Sequence, residues 1–114
     1  MSGHGHRAAT LRADATAWRD RVIADVRRAK GRAAALAHRV SVELVIEAVQ
    51  LIAAHVARGE VEVSRADTIG ALMGPGQARR VMRYLEARGH IERAGDRDLI
   101  LRPVGIRDGE LPIG

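Results

Sequence analysis

The stretch VELVIEAVQLIAAHVA, residues 42–57, constrains the fold of this chain more than any other. Only Glu43, Glu47 and Gln50 form a polar strip along it, while Leu44, Val45, Ala48, Val49, Leu51, Ile52 and Val56 cover most of the remaining circumference. A helix apolar over so much of its surface is stable only when other elements cover it on several sides. The rest of the chain must therefore wrap around this pillar. Ser41 is placed to cap its first turn and Gly59 to end it after Arg58. His55 lies beside the apolar surface with no second metal ligand one helical turn away, which reads as a hydrogen-bonded or half-exposed histidine.

Ahead of the pillar, Leu11, Ala15, Trp18, Val22, Val26, Ala29, Ala33, Leu36 and Val40 recur at steps of three and four. That spacing predicts one long amphipathic helix from Arg7 to about Ala37, with Gly31 as a candidate kink or break. Its stripe is thin and rich in alanine, so it packs closely against a neighbour. Residues 1–6, MSGHGH, read as a disordered arm. Loss of Met1 would expose Ser-Gly-His4, a square-planar chelate for Cu(II) or Ni(II), but the plain arm is the preferred reading. Residues 7–40 are then an N-terminal helical extension serving dimerisation, DNA backbone contact or both.

Composition narrows what the fold can do. At 114 residues and 46% hydrophobic content, the chain has the size of one domain with a modest core. Trp18 and Tyr84 are its only aromatics, so the core is aliphatic, and the aromatic stacking platforms of single-strand binders are missing. The absence of cysteine excludes disulfides, a thiol nucleophile and cysteine-based zinc sites. No paired carboxylates, nucleophile–base pair or metal cluster can be assembled, so no enzyme, cofactor or metal site is expected. No run of 18 apolar residues and no signal-like apolar core occur, which points to a soluble cytoplasmic protein without membrane contact.

Charge points to a partner. Eighteen arginines and one lysine against 14 acidic residues give +5 and a pI near 11.1, the balance of a protein that meets a polyanion. Residues 7–40 alone carry Arg7, Arg12, Arg19, Arg21, Arg27, Arg28, Lys30, Arg32 and Arg39 against Asp14, Asp20 and Asp25, a local balance of +6. They form either a second nucleic-acid surface or a solvated helix face.

The chemistry concentrates after the pillar. Glu60 to Val63 alternates as a short strand, and Ser64 caps a helix from Arg65 to about Met73, with Asp67 completing a capping box. Ile69, Leu72 and Met73 supply its inward face. Gly74-Pro75-Gly76 stops it, and Gln77 to Arg88 follows as a helix with Ala78, Val81, Met82 and Leu85 on one stripe. A phosphate-binding loop requires a preceding strand and a Gly-Lys-Ser/Thr ending, and neither is present. Opposite the stripe stand Gln77, Arg79, Arg80 and Arg83, whose side chains can pair with adenine and guanine edges or with phosphates. A short helix, a tight turn and a second helix basic on its outer side are the parts of a helix-turn-helix, and Arg65 joins the candidate DNA-binding residues.

Gly89 ends that helix, and HIERAGDRDLILR predicts a hairpin turning at Gly95-Asp96. In this register Ile91 faces Ile100 and Arg93 faces Asp98, with Arg97 near the tip as a wing residue. Pro103 ends the second strand, and residues 103–114 are read as a flexible tail.

The run VSRADTIGALMGPGQARRVMRYLEARGHIER resembles the core of winged helix-turn-helix regulators of the MarR/PadR kind. In these a Leu-Glu-x-x-Gly-x-Ile-Glu-Arg run, here Leu85, Glu86, Gly89, Ile91, Glu92 and Arg93, leads from the recognition helix into the wing. The resemblance spans residues 41–102 and implies a mainly α fold with a small β-hairpin wing, preceded by the long N-terminal helix. It also implies a dimeric bacterial DNA-binding regulator, such as a repressor, that contacts double-stranded DNA through Gln77, Arg79, Arg80 and Arg83 on the recognition helix and Arg97 at the wing tip. Two departures stand out: the rigid Gly-Pro-Gly turn, and the missing dimerisation helix after the wing, which leaves the N-terminal or pillar helix to pair two copies. Two other functions fit the same residues, a nucleoid-associated architectural binder with little sequence preference and a winged-helix adaptor that binds a protein. No small-molecule effector is identified by any polar residue in the N-terminal stripe.

Overall fold

The computed structural model describes residues 2–94 and 100–106, residues 2–7 as backbone alone. Its elements in chain order are α1 (Ser2–Arg27), α2 (Ala29–Ala37), α3 (Val42–Ala57), β1 (Val63–Ser64), α4 (Ile69–Met73), α5 (Pro75–Ala87), β2 (Ile91–Arg93) and β3 (Ile100–Pro103). The fold is mainly helical with one small antiparallel sheet of order β1-β3-β2.

The pillar is α3. Val45, Ala48, Val49, Ile52, Ala53 and Val56 are buried, Glu43, Glu47 and Gln50 face solvent, and Ser41 Oγ accepts a 3.0 Å hydrogen bond from the Leu44 N–H. His55 is half-exposed, with Nδ1 2.7 Å from Glu60 Oε2, in agreement with its reading as a hydrogen-bonded, half-exposed histidine. That contact holds the Glu60 carboxyl below its usual pKa.

α1 lies along α3 and belongs to the same core. Leu11, Ala15, Trp18, Val22 and Val26 are all buried, and Trp18 Nε1 donates to the His90 carbonyl at 3.0 Å, tying α1 to the approach of β2. Residues 7–40 are thus integral to the core rather than an outlying extension, and the helical backbone of α1 takes in residues 2–6, expected as an arm. Among the described residues no single helix is long and apolar enough to cross a membrane.

The single long helix is not what forms. The chain breaks at Arg28, which is extended at ψ 161°, three positions before the expected site at Gly31. One extended residue resets the helical phase, so the stripe does not continue: Ala29, Ala33 and Leu36 face solvent, Leu36 at 80% exposure, and Gly31 and Ala35 turn inward. Gly31 is the contact this break creates. A Cβ there would stand 1.9 Å from the Asp25 carbonyl oxygen, so only glycine lets α2 lie this close to the end of α1.

The strand register also differs from expectation. Ile91 pairs with Pro103, Glu92 with Arg102 and Arg93 with Leu101, instead of Ile91 with Ile100 and Arg93 with Asp98. The offset is an odd number of residues, and side chains alternate between faces along a strand, so the expected register would have turned Leu101 outward. In the observed one Leu101 lies opposite Val63, both buried, while Ile100 is 38% exposed. A two-residue turn at Gly95-Asp96 is incompatible with this pairing; Gly95, Asp96, Arg97 and Asp98 themselves lie outside the described residues.

Two boundaries and one helix face differ as well. The expected helix from Arg65 starts only at Ile69, because residues 65–68 form turns in which Ser64 Oγ accepts from the Asp67 N–H and the buried Thr68 hydroxyl donates to the Ser64 carbonyl. Leu72, expected inside, is 49% exposed. Residues 103–106 are packed and not part of a tail: Ile106 is buried, and the Val104 N–H donates to the His90 carbonyl at 3.0 Å.

Candidate nucleic-acid interface

The candidate site is built on α5, and the start of that helix explains its geometry. Gly74 has φ 86°, a left-handed conformation that favours glycine, and lets the chain leave α4 and enter α5 at once. Pro75 follows at the first helical position, where its missing N–H costs nothing and its fixed φ is already helical. Pro75 and Gly76 are therefore helical residues, not turn residues as expected. A helix, α4, precedes this junction, as the rejection of a phosphate loop requires.

α5 is seated by Ala78, Val81, Met82 and Leu85, the stripe predicted, together with Tyr84, which the periodicity did not select. Tyr84 is fully buried, its hydroxyl donates to the Gly31 carbonyl at 2.9 Å, and its ring meets His38 edge-on with centroids 5.8 Å apart. Burial raises its pKa, and the nearby Asp25 charge adds to the effect.

A second brace holds the far end of the helix. Arg88 donates to both carboxylate oxygens of Asp25, from Nη2 at 2.6 Å and from Nε at 3.0 Å, and His90 Nε2 donates to the same carboxylate at 2.8 Å. The Arg88 hydrogen bonds are the main reason that the Asp25 carboxyl is held down at about 2, and Asp25 in turn raises the Arg88 pKa. Arg88 is accordingly committed to the protein and adds no free charge to the outer face of α5.

That outer face carries Gln77, Arg79, Arg80 and Arg83, all exposed. None of the three arginines forms an ion pair among the described residues, and the one side-chain contact is a 3.3 Å hydrogen bond from Arg80 to Gln77 Oε1. Glu86, the acidic residue on this helix, is occupied by Arg93 at 3.1 Å. Arg65 sits half-buried in the turn between β1 and α4, on a different element from the others. Arg97 lies outside the described residues.

Compared with known proteins, the chain matches no family model, no curated protein and no solved structure. The functional reading therefore rests on the geometry of the chain itself.

Proposed function

We propose that this protein binds double-stranded DNA as a dimeric winged helix-turn-helix regulator, with α5 in the major groove and the β2–β3 hairpin as the wing. The observation that carries the reading is the outer face of α5: a glutamine and three arginines without acidic partners among the described residues, on a helix braced at Tyr84 and Arg88. Unpaired arginines on a rigid helix suit both base edges and phosphates. The order helix, strand, helix, helix, strand, strand from α3 to β3, with β3 between its neighbours, agrees with a winged domain.

Two copies, and hence two recognition helices one DNA turn apart, are part of the proposal. The apolar stripe of α1 is spent on α3, so pairing falls to the outer face of α2 around Leu36. Such a protein acts in the cytoplasm, on the nucleoid.

The test is the fluorescence anisotropy of a labelled duplex titrated with protein between about 50 and 200 mM salt, beside an Arg79→Ala/Arg80→Ala/Arg83→Ala variant. Binding should weaken steeply with salt and collapse in the variant. Single Arg80→Ala and Arg83→Ala changes should each cost on the order of 1 to 3 kcal/mol where they read a base. Full affinity in the triple variant would remove α5 from the interface. Equal competition by random duplex would instead mark an architectural binder.

A further inference from the structure

The ion pairs sort the basic residues of this protein into two groups. Arg19, Arg58, Arg88, Arg93 and Arg102 each meet an acidic side chain within 4.0 Å. Arg28, Lys30 and Arg32 at the α1–α2 joint are exposed and meet none among the described residues, which makes them resemble the arginines of α5. Arg12, Arg21, Arg27, Arg39 and Arg65 likewise show no ion pair among the described residues, so what sets the joint apart is its place against α5.

The joint and α5 are physically joined. Gly31, the residue between Lys30 and Arg32, accepts the Tyr84 hydroxyl at 2.9 Å, and Arg80 stands one helical turn before Tyr84 on the edge of α5 nearest this contact. Asp25, three residues before Arg28, grips Arg88 at the other end of α5. Because Gly31 and Ala35 occupy the inward face of α2, Lys30 and Arg32 are directed to its two flanks, around the point where α2 touches α5. The joint therefore holds its cations at a fixed distance from the face proposed to enter the groove.

We infer that the α1–α2 joint is a second DNA-contacting element, in which Arg28, Lys30 and Arg32 engage the phosphate backbone beside the groove occupied by α5. The inference rests on the DNA-binding reading of α5 and extends it. Cations on exposed, unpaired side chains release counterions when they meet phosphate, and such contacts strengthen binding without reading sequence. The break at Arg28 acquires a purpose: a continuous helix would carry these residues past α5 instead of folding them against it.

The experiment compares Lys30→Gln/Arg32→Gln with Arg12→Gln/Arg58→Gln, a control that removes the same net charge elsewhere, after circular dichroism has verified that both fold. In duplex titrations the joint variant should lower the slope of log affinity against log salt by about two and weaken binding roughly 10- to 100-fold, leaving base preference unchanged. The control should retain the wild-type slope. A joint variant with the wild-type slope, alongside a collapsed α5 triple variant, overturns this inference and leaves the α5 reading standing. Equal losses in joint variant and control overturn it too, since net charge alone would then explain them. Absence of duplex binding by the wild-type protein overturns both readings.

Discussion

Asp25 and Arg88, 63 positions apart in the chain, form a bidentate ion pair of 2.6 and 3.0 Å that joins the end of α1 to the end of α5. Side-chain exposures of 18% and 26% leave the pair only partly screened by water. Because the folded carboxyl titrates at about 2 against an ordinary 3.8, its contribution to stability is fully present above about pH 4 and is lost as pH falls toward 2. Asp25→Asn should destabilise the protein by roughly 1 to 2 kcal/mol at pH 7, partial exposure holding the figure down. Urea unfolding of both proteins at several pH values checks this: the two curves should converge near pH 2.

Gly31 and Gly76 predict opposite responses to the same substitution. A Cβ at Gly31 meets the Asp25 carbonyl oxygen at 1.9 Å, whereas one at Gly76 meets nothing within 4 Å. Gly31→Ala should cost more than about 2 kcal/mol through forced separation of α1 and α2. Gly76→Ala, near the start of α5, should be neutral or stabilising by up to about 1 kcal/mol. Thermal unfolding of the two variants decides it.

The phase change at Arg28 is tested by neighbours. Ala35 is buried and Leu36 is 80% exposed. Ala35→Glu should prevent stable folding, since an unpaired carboxylate would enter the core. Leu36→Glu should keep the wild-type circular dichroism spectrum, and light scattering should report the proposed dimer for the wild type and a monomer for the variant. Unfolding by Leu36→Glu would mean that α1 and α2 continue one stripe after all.

The strand register predicts a similar contrast. Leu101 is fully buried opposite Val63, and Ile100 is 38% exposed. Leu101→Ala should cost on the order of 2 to 5 kcal/mol and Ile100→Ala less than about 1 kcal/mol. Denaturant midpoints that reversed this order would favour the alternative register.

What could be read without coordinates was local. The pillar α3, its Ser41 cap and the seating stripe of α5 depend on spacings within one helix, and 3.6-residue periodicity reports which side of a helix is apolar whatever lies against it. The exposed Gln77, Arg79, Arg80 and Arg83 were legible for the same reason. Tertiary contacts decided the rest. The break at Arg28 leaves the spacing of apolar residues unchanged on paper, and only the clearance beside Gly31 shows why the phase resets there. Strand register hangs on a partner 38 positions away, Val63 beneath Leu101 rather than anything inside the hairpin itself. Arg83 and Arg88 are alike as letters, but one meets solvent and the other Asp25, because pairing depends on which acid the fold brings within hydrogen-bond reach. Long-range proximity is a property of the packed chain, and no local pattern encodes it.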